Sequence, residues 1–266
     1  METAETARAL RSLFRRAGNL APDLATAVWF YVLLRRQSAA YRAAGRDHRR
    51  LEELFESTSN ERLLELSGRR LLDVRLTFGP VSASQKLTEL LGFLRYAADR
   101  TPRRVCEIGT SAGGTLYALT RVAAPDAVIV SVDITIPQTV QTLREKLVKP
   151  GQRIVSIEGD SHSDDTKAAV ERALEGAPLD VLFIDGDHSY VGVRADFELY
   201  APLVRHGGLI GLHDINEDFT TRKGISTPAI SGDVPRFWRE LRERHATEEL
   251  IADPEQDGYG IGVVFP

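Results

Sequence analysis

A chain of 266 residues with 42% hydrophobic and 27% charged residues has material for one large domain, or one domain plus an extension, in an ordinary globular composition. Its net charge of −4, without a long basic run, argues against nucleic acid as a dominant partner, and Arg35-Arg36 and Arg49-Arg50 read as solvated helix faces. The single cysteine, Cys106, excludes a disulfide framework and zinc spacing, and no signal peptide is visible, so the expectation is a cytoplasmic protein with Cys106 buried.

Residues 1 to about 75 are rich in Ala, Leu, Arg and Glu and poor in glycine, which predicts several helices. Leu24 to Leu34 is the most apolar run, yet it falls well short of the roughly 20 residues a membrane span needs. It reads as a buried helix, packed on the domain that follows, or serving as a homo-oligomer contact or a cover over a substrate pocket. Arg42 to Leu66 continues as a charged helical connector. The chain is therefore divided into a helical extension, residues 1–78, and a second unit, residues 79–266.

From Phe78 the signals sharpen. Ser82-Ala-Ser-Gln85 has the form of a capping box, in which the serine hydroxyl and the glutamine side chain satisfy N–H groups at a helix start. Leu87, Leu90, Leu91 and Leu94 then recur at i, i+3, i+4 and i+7, one apolar helix face. Thr101-Pro102 leads into Val105 to Ile108, a short run with β-formers that ends in Gly109, and from Thr115 the spacing becomes helical. Strand, glycine turn and helix follow one another. Gly109 lets the chain bend out of the strand, while Gly113 and Gly114 keep the helix start free of Cβ atoms, so that a ligand can approach bare N–H groups. The bland alternative is a glycine turn without a ligand.

The alternation continues to the end of the chain. Ala127 to Val132 is predicted as strand two, Val140 to Leu147 as a helix, Arg153 to Glu158 as strand three and Asp164 to Leu174 as a helix capped by its aspartate. Val181 to Ile184 is strand four, Val191 to Val204 a helix and Leu209 to Leu212 strand five. Asp233-Val-Pro235 opens a helix through Trp238 and Leu241. A strand at Gly258 to Phe265, with glycines that reduce its bulk, pairs antiparallel with one near Glu248 to Ile251. Strands alternating with helices imply an α/β fold, a parallel sheet covered on both faces.

The ligand follows from spacing. A dinucleotide site wants Gly-x-Gly-x-x-Gly, whereas the glycines fall at 109, 113 and 114, with Glu107 two residues before the first. Strand two ends in Asp133, where a carboxylate can accept hydrogen bonds from a ribose diol. A glycine turn plus a ribose acid points to an adenosine-type cofactor without phosphates. At these residues the sequence resembles the class I S-adenosylmethionine-dependent methyltransferases. The resemblance implies a Rossmann-like, doubly wound sheet of order 3-2-1-4-5-7-6 with an antiparallel last strand. It also implies that Glu107, Gly109, Thr110, Ser111, Gly113, Gly114, Asp133 and Ile134 hold the methionine and ribose ends of S-adenosylmethionine, with Gly159, Asp160 and Ser161 at the adenine and Asp185 beside the cofactor. Gly159-Asp160-Ser161 is also a good turn in its own right.

Asp185-Gly-Asp187-His188-Ser-Tyr190, directly after Val-Leu-Phe-Ile, is an odd way merely to end a strand, and strand five ends in His213-Asp214. In the expected order these strand ends are neighbours, so Asp185, Asp187, His213 and Asp214 can converge and hold a divalent cation, magnesium or manganese. The resemblance narrows at this point to small-molecule O-methyltransferases of the catechol, macrolide-sugar and cephalosporin-hydroxylase type. It implies a metal set of Asp185, His213 and Asp214, although His213 stands where that group often has a second acid and suits manganese, iron or zinc better than magnesium. Without a metal, His188 or His213 is suited to act as the general base beside Asp185. The remaining histidines, His48, His162, His206 and His245, read as surface residues, with His162 the most ambiguous. The loop Asn216 to Gly232 is expected to be mobile and to close over the acceptor.

The expected function is therefore methyl transfer from S-adenosylmethionine to a hydroxyl of a small natural product or sugar, with no nucleic-acid or membrane partner. The rival enzyme reading takes Asp185-Gly186-Asp187 as the Asp-x-Asp motif of a metal-dependent glycosyltransferase, which leaves the glycine turn and Asp133 unused. A nicotinamide oxidoreductase fits less well, since no tyrosine is followed four positions later by lysine. A cofactor-binding protein without catalysis is the third.

Overall fold

The computed structural model describes residues 77–78, 81–82, 85–111, 113–136, 148–224 and 231–266. The N-terminal helices expected before residue 77, the helix expected at Val140 to Leu147 and residues 225–230 of the long loop lie outside them.

Strands β1 (Thr77–Phe78) and β2 (Val81–Ser82) pair as an antiparallel hairpin, so the expected division between residues 78 and 79 falls between two paired strands. Ser82 is thus held in a strand, and the capping box does not form. Helix α1 (Leu87–Ala98) starts five residues later, with Lys86 at its N-cap and no side-chain cap bond. Gln85 is buried.

Seven strands make one sheet: β3 (Arg104–Ile108), β4 (Val128–Asp133), β5 (Arg153–Glu158), β6 (Leu179–Ile184), β7 (Val204–His213), β8 (Ala246–Leu250) and β9 (Ile261–Phe265). Their order is β5-β4-β3-β6-β7-β9-β8, which is 3-2-1-4-5-7-6 when only these strands are counted, the predicted order. The first five run parallel, and β9 lies antiparallel between β7 and β8. The helices are α2 (Gly114–Val122), α3 (Asp164–Ala173), α4 (Tyr190–Tyr200), the one-turn α5 (Phe219–Arg222) and α6 (Val234–Arg244).

Strand alternation divides the core. Val105, Ile129, Val181 and Phe183 face α1 and α2, meeting Leu90, Leu91, Phe93 and Leu94 of the predicted apolar face. Cys106, Ile108, Val130 and Leu182 face the other way, with Val170, Phe197 and Trp238. Two strand glycines bring helices onto the sheet. A Cβ on Gly211 would lie 2.5 Å from Phe93, and one on Gly262 would lie 2.5 Å from Trp238.

Three boundaries differ from expectation by three residues or more. Helix α4 ends at Tyr200 rather than Val204, because Pro202 follows in a 3-10 turn and supplies no N–H to continue an α-helix. Strand β7 begins at Val204 rather than Leu209, and the irregular register between Leu179 and Val181 absorbs Gly207, whose φ is +73°, and Gly208. At the last strand, Gly258, Tyr259 and Gly260 all have positive φ and form a turn, so pairing begins at Ile261.

Candidate active site

The glycine turn lies at the carboxyl end of β3, between β4 and β6. Gly109 has φ +79°, and a Cβ there would sit 2.0 Å from the Asp185 carbonyl oxygen and 2.7 Å from the Gly186 Cα. Glycine is required for the backbone approach of β6 as well as for the turn. Gly113, also at φ +79°, is the N-cap of α2, and Gly114 is its first residue. The Ser111 N–H donates to Asp133 Oδ2 at 2.5 Å, tying the turn to the end of β4. Thr110 accepts a hydrogen bond from the Ser131 hydroxyl at 2.9 Å in the interior, and Glu107 is buried on the α1–α2 face of the sheet. Ile134, next to Asp133, is 69% exposed, an unusual setting for a large apolar side chain at a strand end.

A second loop at this edge follows β5. The Gly159 N–H donates to the Asp133 carbonyl at 2.9 Å, and Asp160 Oδ1 accepts the His162 N–H at 2.9 Å. Ser163 caps α3 by accepting the Thr166 N–H. These residues line up along adjoining strand ends, as the sequence predicted.

At the ends of β6 and β7, Asp185, His213 and Asp214 of the expected four come together. His213 Nδ1 lies 3.1 Å from Asp185 Oδ1 and 3.2 Å from Asp214 Oδ2. The His188 ring lies in front of the same pair, Nε2 3.5 Å from Asp185 Oδ1 and Nδ1 3.7 Å from Asp214 Oδ2. Burial alone would lower the His213 pKa, but Asp185 and Asp214 overcome it and hold the imidazolium well above its usual range. Burial likewise opposes ionisation of Asp185, and the His213 and His188 rings outweigh it, leaving the carboxyl at about 2. The buried His213 Nε2 has no hydrogen-bond partner. Donor atoms of Asp185, His188 and Asp214 lie within 4.8 Å of one another, so His188 joins the two acids alongside His213. Ser111, Asp214 and Tyr259, at φ 44°, 63° and 61°, are non-glycine residues in the left-handed region, all at this edge of the sheet.

Asp187 does not converge with them. Its Oδ1 accepts the Ser189 N–H at 2.8 Å, and it packs so closely on Gly192 that a Cβ there would lie 2.2 Å from its Cγ. Its carboxylate serves the start of α4, so the Asp-x-Asp reading loses its second acid. His162 is also misjudged by sequence: it is half-buried against Asp196 of α4, whereas His206 and His245 are exposed as expected.

Two further residues escaped sequence reasoning. Gln85 accepts the Thr115 hydroxyl at 2.7 Å and donates to Asp185 Oδ2 at 2.6 Å, linking the start of α2 to the acid after β6. Tyr259 stands edge-on to His213 with ring centroids 6.2 Å apart. Gln85 was marked only as part of a capping box and Tyr259 by no motif, because each acts on residues far away in the chain.

The family described as Methyltransferase domain matches residues 106–215. A stretch of 116 residues is 32% identical to an uncharacterised protein of Acanthamoeba polyphaga mimivirus, covering 42% of this chain and about half, 51%, of that one. Among solved structures, an O-methyltransferase from Bacillus cereus in complex with SAH superposes with a TM-score of 0.53 at 17% identity, over 77% of this chain and 90% of its own. TomG from Streptomyces achromogenes, an O-methyltransferase of tomaymycin synthesis in complex with SAM, gives 0.50 at 20%, over 69% and 82%. MycE, from the mycinamycin pathway and in complex with Mg and SAH, gives 0.51 at 23%, over 78% and 55%. At these identities the likeness is one of fold. The family match runs from the strand of the glycine turn to just beyond Asp214, so this stretch is similar to a methyltransferase domain, and the sheet that carries it has the Rossmann-like order of the structures above.

Proposed function

We propose that the protein transfers a methyl group from S-adenosylmethionine to a hydroxyl of a small molecule. The observation that carries this reading is the seating of His188 between Asp185 and Asp214, directly beside the Gly109 turn. When bound, the cofactor supplies an already electrophilic methyl carbon, so the protein's tasks are alignment and proton removal. Glu107, the glycine turn and Asp133 hold its methionine and ribose ends, and Asp160 and Ser161 meet the adenine. His188 takes the acceptor's hydroxyl proton at its imidazole, and Asp185 and Asp214 stabilise the resulting cation. His213, already held protonated, is a charged support beneath them. Gln85 fixes the Asp185 carboxylate from the other side.

The donor set supports a second reading. Two carboxylates and one imidazole suit manganese better than magnesium, and an ion held by Asp185, His188 and Asp214 would lower the pKa of the acceptor hydroxyl. His188 is then a ligand and not the base. A natural-product acceptor is favoured by the similarity to TomG and MycE. No helix among the described residues is long and apolar enough to cross a membrane, and the proposal includes no membrane or nucleic-acid partner and a cytoplasmic site of action.

Calorimetric titration with S-adenosylhomocysteine, and separately with sugar nucleotides, each with and without magnesium or manganese, tests the proposal. Metal-independent binding of S-adenosylhomocysteine is the expected result. Binding of a sugar nucleotide alone, and only with metal, would return the glycosyltransferase reading.

A further inference from the structure

Helix α4 reaches the loop after β5 through side chains that the reaction above does not use. The Tyr200 hydroxyl donates to the Ser161 carbonyl at 2.8 Å. One turn earlier, Asp196 is fully buried, its Oδ1 3.2 Å from His162 Nε2 and its Oδ2 3.1 Å from where a Cβ of Gly186 would stand. His162 Nδ1 in turn lies 3.5 Å from Asp160 Oδ1. One imidazole therefore stands between a buried carboxylate and an exposed one. The Ser161 side chain is near enough to favour its ionised form, but neither oxygen of Asp196 meets a donor in good alignment, a costly condition for an acid in the interior. Burial raises its carboxyl to about 6, Asp187 and Asp160 add to the rise, and Ser161 and His162 oppose it. An apolar side chain would fill this place at lower cost, so the acid is explained by what it does for the loop.

We propose that Asp196 and His162 are positioning residues for the adenine end of the cofactor, orienting Asp160 so that its carboxylate accepts a hydrogen bond from the exocyclic amine. The inference rests on the methyltransferase reading and deepens it. Asp160 Oδ1 is engaged by the His162 N–H and flanked by its ring, which leaves Oδ2 as the oxygen for the amine. A carboxylate held in advance loses less conformational freedom when the ligand arrives. His162 is held only if something fixes its far nitrogen, and Asp196 is the group within reach.

The test compares the wild-type protein with Asp196→Asn and His162→Ala by calorimetry, using S-adenosylhomocysteine and S-inosylhomocysteine, in which a carbonyl replaces the amine. Asn is isosteric with Asp, and His162 is partly exposed, so thermal melts close to wild type or above it are expected for both. The wild type should prefer the adenine ligand. Each variant should lose about tenfold in affinity for it, the scale of one charge-assisted hydrogen bond, with little change for the inosine ligand. Asp160→Ala should give the same loss, and adding it to His162→Ala should cost nothing further. Wild-type affinity and preference in both variants, or an equal loss on both ligands, would overturn the positioning role. Failure of the wild type to bind S-adenosylhomocysteine would overturn the cofactor reading itself, and the two failures are thereby told apart.

Discussion

Gly109 and Asp185 meet through the backbone, since the first has no side chain and the second brings its carbonyl oxygen to within 2.0 Å of where a Cβ would be. Gly109→Ala must push β6 away while holding φ at +79°, so it should cost about 3 kcal/mol or more of stability, read as a fall in the denaturation midpoint. The same displacement moves Asp185 away from His188 and Gln85, and activity should fall further than stability alone accounts for. His188→Gln keeps the ring's approximate volume and removes the base. Turnover should drop roughly 10²–10⁴-fold, with S-adenosylhomocysteine affinity within twofold of wild type. A loss confined to affinity would make His188 a cofactor residue. Asp133→Ala should behave in the opposite way, losing cofactor affinity with the fold intact.

At the level of elements, α1 does more than cover the sheet. Its buried Glu89 accepts the Ala252 N–H at 3.0 Å, the Gln256 amide at 2.7 Å and the Gly260 N–H at 3.0 Å, so one carboxylate organises the connection between β8 and β9. That connection carries Tyr259 to its place against His213. Glu89→Ala leaves three donors without their acceptor and should destabilise the fold by about 2–4 kcal/mol, while amide exchange at residues 252–260 speeds up more than exchange in β3 and β4. Uniform acceleration would mean that the network stabilises the domain as a whole. At the β7 end, Asp218 performs the same service for its own loop, accepting N–H groups of Thr220, Thr221 and Ser231 at 2.7, 2.8 and 3.0 Å.

Over the whole molecule these two kinds of buried acid pull stability in opposite directions with pH. Burial would raise the Asp218 pKa, but its hydrogen bonds outweigh burial and lower it. Its contribution is therefore complete above the unfolded carboxyl range near ~3.9 and is lost as pH falls through the lower folded value. Asp196 has a folded pKa raised to about 6, so the native state is penalised as pH rises from ~4 to about 6, and the penalty persists above. Asp218→Asn should thus be less stable than wild type at pH 7, and Asp196→Asn more stable by on the order of 2–3 kcal/mol, with both differences shrinking in denaturant titrations below pH 4. A constant difference across pH would remove the titration as the cause. The sequence alone was enough for the alternation of strands and helices, because apolar runs punctuated by glycine and acids are local information, whereas the strand order came from the family resemblance and is matched by the sheet. Gly109, Asp133, Asp185, His188, His213 and Asp214 were all legible in this way. Which acids converge was not: Asp187 turned to accept the Ser189 N–H before α4, His188 moved in among the acids, and Gln85, predicted as part of a capping box, reached Asp185 instead. Those outcomes depend on side-chain direction and on contacts between residues far apart in the chain, such as Gln85 with Asp185 and Asp196 with His162, and only packing across the sheet decides them.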